Sequence, residues 1–141
     1  MLRPLFLAGL LSLPVSVAQA QELEGFITRD RLPDPNLPAL VMGGEVWADT
    51  CENCHGGNKL TGAPKITSDK AWARRIEKGM DVLVAHAIDG FIGPTYKEMP
   101  ARGGNSDLSD DAVKAAVAFM VWASGGADSA IPYAEQNIAT E

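Results

Sequence analysis

The sequence predicts an all-α fold of several short helices joined by long loops. Three observations carry that expectation. Residues 109–123 space their apolar side chains with helical period, two shorter segments in the middle of the chain have helix start and stop signals, and no stretch alternates apolar and polar residues long enough to suggest a strand.

At the start of the chain, residues 1–20 read as a secretory leader: Arg3 lies near the start, an apolar run covers Leu5 to Leu11, and Ala18-Gln19-Ala20 suits cleavage. That run is broken at Pro14 and falls short of the roughly 20 apolar residues of a membrane span, so no stable membrane insertion is expected. Residues 21–38 carry Pro33, Pro35 and Pro38 among polar residues, which favours an extended arm. The domain proper is expected over 39–124, beginning with a helix over 40–50. Two adjacent glycines in that helix, Gly43 and Gly44, each cost about 1 kcal/mol against alanine, and a close helix crossing is the compensation we expect. Its partner is the 109–123 helix, where Ser109 is a good N-cap, Asp110 and Asp111 suit the positive first turn, and Gly125-Gly126 stop the helix. Between them lie helices over 69–78, begun by Thr67-Ser68 and ended at Gly79, and over 81–88, ended at Asp89-Gly90. Residues 125–141 are left as a C-terminal tail.

The chemistry begins at Cys51-Glu52-Asn53-Cys54-His55. C-x-x-C-H is the attachment sequence of a c-type haem. Two thiols three residues apart stand about one helical turn from each other and can add to the two vinyl groups of one porphyrin. The adjacent imidazole then falls under the iron as proximal ligand. A redox C-x-x-C would need a thioredoxin-like context, and a structural zinc site a second ligand pair. Cys51 and Cys54 are the only cysteines, and His86 is the only other histidine. Aromatic residues are scarce at 6%, so the haem is expected to supply much of the core, and the haem-free chain to be weakly folded or unfolded.

Together with Pro64, nine residues beyond His55, and Met99-Pro100-Ala101-Arg102-Gly103-Gly104 ahead of the last helix, the motif resembles that of a class I monohaem cytochrome c. The resemblance covers roughly residues 40–124. It is closest to the small bacterial c-five group, through Thr61-Gly62-Ala63-Pro64-Lys65 and Leu108-Ser109-Asp110-Asp111. It implies about four short helices wrapped around one covalent haem, with the first and last helices crossing. It also implies that Met99 is the distal ligand, and a thioether is a soft neutral ligand that favours ferrous iron. Met42, Met80 and Met120 are better explained by packing. Pro64 is implied to accept a hydrogen bond from the proximal histidine through its carbonyl, fixing the ring. Trp72 and Arg75, three residues apart on the second helix, are implied to contact the haem propionates, with Arg102 a further candidate. His86 is expected to be structural. Gly43, Trp47 and Phe119 are implied to be fold residues of the crossing helices. The approach to the methionine, residues 91–98, is longer than the group's pattern, and its Tyr96 is a further candidate for the propionates.

The formal charge of the whole chain is −6, and removal of Arg3 with the leader makes it −7. Nucleic-acid binding is therefore not expected. Acids outnumber bases before Cys51 and after Gly104, whereas bases lead between them, which suits steering toward an acidic redox partner. The functional expectation is a periplasmic, monomeric single-electron carrier that docks transiently at its haem edge. Two other readings compete: a dedicated haem subunit of a larger periplasmic dehydrogenase or sulfur-oxidising complex, and a haem enzyme or sensor with an open distal site.

Overall fold

The computed structural model describes residues 23–140 apart from Tyr96, so the leader and the propionate role suggested for Tyr96 lie outside the described residues. Helix α1 spans Pro38–Val46, with proline at the first turn, where its missing N–H removes no intrahelical bond. The chain then passes through a five-residue π-helical stretch, Trp47–Cys51, straight into the short α2, Glu52–His55. Helix α3 covers Asp69–Ile76 and is capped by Ser68, whose hydroxyl accepts from the Ala71 amide at 3.4 Å. Helix α4, Met80–Asp89, is bracketed by Gly79 and Gly90, both at positive φ. Helix α5, Asp110–Ala123, starts where the sequence places it, with Ser109 Oγ accepting from the Ala112 amide at 3.2 Å.

The first and last helices of the predicted domain do cross, and Gly43 is the point of closest approach. A Cβ added there would lie 2.1 Å from the carbonyl oxygen of Ala115, so only glycine lets the backbones meet. Around the crossing, Trp47 and Phe119 are fully buried with ring centroids 6.1 Å apart, and the Arg29 guanidinium sits 5.3 Å above the Phe119 ring. That cation–π contact ties the segment before α1 into the core. The Trp47 indole N–H has no partner among the described residues. A buried donor of this kind costs about 1–3 kcal/mol unless a bound group supplies the acceptor.

Three sequence expectations are amended by the structure. The arm does not stand clear of the domain: Ile27 is fully buried and Leu32 nearly so, because the Ile27 amide donates to the Gly56 carbonyl at 2.7 Å and draws the chain onto the domain. The tail contains α6, Ala127–Asn137, whose Ala130 and Ala134 are buried in contact with α5. Its interior Pro132 masks the helix in the sequence, although one proline removes only one ladder bond. Finally, the long approach to Met99 is a small antiparallel hairpin of β1, Phe91–Ile92, and β2, Glu98–Met99, with Phe91 opposite Met99. Two-residue strands are too short to leave an alternating signature.

Candidate functional site

The π stretch delivers Cys51 and α2 delivers Cys54 and His55; both thiols are half-buried and unpaired, and His55 is buried. Burial first, then the neighbouring Cys54, pushes the Cys51 thiol up to about 11. At neutral pH it is a thiol, the opposite of the low-pKa thiolate that a dithiol oxidoreductase requires.

After α2 the chain turns back through Gly57, at φ +117°, and passes under the histidine. There the His55 Nδ1 lies 2.9 Å from the Pro64 carbonyl oxygen. A carbonyl can only accept, so Nδ1 carries the hydrogen and Nε2 carries the lone pair. The Ile66 amide donates back to the His55 carbonyl at 2.8 Å, fixing the same loop at a second point. Burial lowers the His55 pKa; the Pro64 bond opposes that shift and the charge of Arg75 adds to it. The imidazole is thus held neutral, in the tautomer a metal ligand needs.

Met99 comes from a separate element. It ends β2, half-buried, and its segment is held to the residue preceding Cys51. A Cβ on Gly103 would lie 3.0 Å from the Thr50 methyl, and the Asn105 amide nitrogen is 3.4 Å from Thr50 Oγ1. Gly103 and Arg102 both adopt positive φ in the turn after Pro100. Cys51 and Met99 line one cavity together with Arg102, Gly103 and a mostly apolar wall of Ala87, Leu108, Val113, Ala116, Val117 and Met120. The α5 residues of this wall were legible as one helix face, whereas Ala87 and Leu108 had no signal beyond being apolar.

These residues fit a covalent haem. Two free thiols, a neutral imidazole with its Nε2 lone pair available and a thioether sulfur form the donor set, and Cys51 and Met99 face one apolar cavity. The propionate candidates are placed less simply. The single N–H of Trp72 donates to the Lys65 carbonyl at 2.9 Å, and its ring lies 6.3 Å from that of His55. The indole N–H of Trp72 is thus engaged with the loop after Pro64. Arg75 donates to the Ala71 carbonyl on its own helix. Arg102 spans the Leu108 carbonyl at 2.9 Å and the Asp110 carboxylate at 2.6 Å, bracing the turn after Met99 against the start of α5. His86, half-buried, stacks on Phe91 with centroids 4.0 Å apart.

Comparison with known proteins agrees with a covalently bound haem c. Residues 38–120 match the family described as cytochrome c oxidase, cbb3-type, subunit III. Cytochrome c-555 of Chlorobaculum thiosulfatiphilum is 45% identical over 81 residues, which cover 57% of this chain and 92% of that protein. Cytochrome c5 of Azotobacter vinelandii is 38% identical over 80 residues, covering 55% of this chain and 89% of that one. A similar solved structure is the cytochrome c in a crystal structure of its electron transfer complex with nitrite reductase. Its TM-score is 0.51 at 33% identity, covering 58% of this chain and 93% of that chain.

Proposed function

The chain belongs to the cytochrome c family, as a small class I monohaem member and electron carrier with covalently bound haem c, and from that premise we propose that it shuttles single electrons between periplasmic redox proteins through a His/Met-ligated haem. In this reading Cys51 and Cys54 hold the haem as thioethers, His55 Nε2 binds one side of the iron and Met99 sulfur the other. The haem supplies the one-electron chemistry when bound. The chain's own residues fix the ligands and the approach of partners, with no substrate bound at iron. The observation that carries this reading is the pairing of Cys51 and Met99 on one apolar cavity, with the His55 ring oriented by Pro64 so that Nε2 is free.

Docking is assigned to the surface beside this site. Leu60 is 86% and Ile92 65% exposed. Lys97 reaches from the hairpin to the loop after the attachment motif, donating to the Leu60 carbonyl at 3.2 Å. Apolar side chains beside Lys59 and Lys97 suit a transient contact with an apolar patch rimmed by acids on a redox partner. Transfer should slow as salt rises. Location in the periplasm rests on the leader, and no helix among the described residues is long and apolar enough to cross a membrane.

The decisive experiment is the optical spectrum of the oxidised holoprotein. A methionine-to-ferric-iron charge-transfer band should be present and should vanish in Met99→Ala; a band that survives the substitution overturns the ligand assignment. The subunit reading has one observation in its favour. The segment before α1, together with α6 and Trp122 of α5, frames a cleft lined by Pro35, Leu37, Leu40, Trp122 and Ile131, and residues 23–37 and α6 lie outside the family match. A stable enzyme co-eluting with the native protein on size exclusion would favour it over the free carrier.

A further inference from the structure

The segment 23–32 lies outside the residues that match the family, yet its hydrogen bonds converge on the proximal ligand. The Ile27 amide donates to the carbonyl of Gly56, the residue after His55, at 2.7 Å. The Arg29 amide donates to the carboxylate of Glu52, inside the attachment motif, at 3.0 Å. On the other side of the His55···Pro64 bond, Lys65 Nζ donates to the Leu23 carbonyl, and the Leu23 amide approaches Thr67 Oγ1 at 3.4 Å. The segment therefore grips the residue next in sequence to each partner of that bond, Gly56 after His55 and Lys65 after Pro64. Close packing supports the grip: a Cβ on Gly56 would lie 2.6 Å from the Ile27 carbonyl oxygen and 2.8 Å from the Phe26 ring. Arg31 ties the segment to itself, donating to the Phe26 carbonyl at 2.6 Å and the Glu24 carbonyl at 3.0 Å. Ile27, with no exposed surface, anchors it in the core.

We infer that residues 23–32 are a staple across the proximal hydrogen bond, with Ile27 and Lys65 as positioning residues that set the donation from His55 to Pro64 and, through it, the reduction potential. The inference rests on His55 being the proximal ligand. A hydrogen bond from the outer ring nitrogen makes an imidazole a stronger donor to its metal and favours the more oxidised state. A looser bond should therefore raise the midpoint potential. The mechanism is mechanical: with the staple in place, separating His55 from Pro64 also requires moving a buried isoleucine.

The test uses the full-length holoprotein carrying Lys65→Met, which removes the ammonium but keeps the aliphatic stem, and separately Ile27→Ala. Two quantities are read: exchange of the His55 Nδ1 hydrogen by proton NMR of the ferrous form, and the midpoint potential. Exchange about tenfold faster with a raised midpoint, while the Met99 methyl resonance stays in place, is the expected result. A control, Val121→Ala, destabilises buried core outside the segment. Unchanged exchange and midpoint in Lys65→Met overturn the inference even if Ile27→Ala fails to fold. So do changes in the staple variants no larger than those in the control. If the unmodified protein shows no iron-bound His55 signal, the ligand assignment fails instead, and the two failures are told apart.

Discussion

His55 and Pro64, nine residues apart, are joined by a single hydrogen bond of 2.9 Å that decides which ring nitrogen is left for a metal. Everything on the proximal side is arranged around that contact. The loop returns through Gly57, Ile66 answers with a bond to the His55 backbone, and Trp72 packs beside the ring with its own N–H turned to Lys65.

The first prediction concerns pH. Burial depresses the His55 pKa below its usual 6.5, against the Pro64 bond and helped by Arg75. A histidine whose folded pKa is lowered stabilises the fold fully above its unfolded value, and that contribution is lost as pH falls through the folded value. Acid loss of stability through this ring should therefore begin only below pH 6.5, and iron bound at Nε2 in the holoprotein should push the onset lower still. Acid titration followed in the Soret band and by far-UV circular dichroism checks this. Arg75→Gln removes a nearby positive charge and should move the transition to higher pH.

At the helix crossing, Gly43→Ala places a methyl 2.1 Å from the Ala115 carbonyl oxygen. Backbone on both sides must give way, and overpacking of this kind costs about 1–3 kcal/mol. Guanidinium unfolding of the holoprotein should show a lower midpoint at similar slope. An unchanged midpoint would mean that the crossing is looser than its geometry.

Ser124 offers a smaller, cleaner test. It is buried at the end of α5, and its Oγ accepts the Thr67 amide at 3.0 Å, locking the loop after Pro64 to the last turn. Thr67 holds φ at +69°, a strained value for a β-branched residue. Ser124→Ala leaves that amide unpaired and should cost about 1–3 kcal/mol, measured in the same unfolding assay. The absorbance spectrum should be unaffected.

Haem removal should matter more than any of these. The variant Cys51→Ala/Cys54→Ala lacks both attachment points, so the chain loses the apolar mass of the haem that its own sparse aromatic residues do not supply. Its far-UV signal should fall and its thermal transition should broaden or disappear. A sharp, dispersed NMR spectrum from the haem-free chain would contradict this.

Much of this was legible in the sequence, for reasons that can be named. Ser109, Asp110 and Asp111 announce α5 by local chemistry alone, and Gly43 announces a crossing because glycine in a helix otherwise has no recompense. Cys51, Cys54 and His55 were legible because the spacing of one motif fixes their relation, whereas Pro64 and Met99 were singled out through the family resemblance. The features that escaped were long-range. Ile27 is buried because its segment is bonded to Gly56, Glu52 and Lys65, and nothing in three nearby prolines foretells it. Trp72 gives its N–H to Lys65 through a loop whose path only the fold determines. Helix α6 was hidden by Pro132, and the hairpin by its length.

The π stretch between α1 and α2 makes the length of this segment matter. Its closing bond runs from the Glu52 amide to the Trp47 carbonyl, spanning one residue more than an α-helical turn, so α2 is rotated by about 100° relative to a regular continuation of α1. Helix α1 and the attachment segment are thus two phases of one rod. The first is set so that Gly43 meets Ala115, the second so that His55 meets Pro64. A uniform α-helix could keep only one of those appointments. The spacing from Gly43 to His55 acts as a gear ratio, and an insertion or deletion within it would disengage the haem ligand from the core without altering a single contact residue.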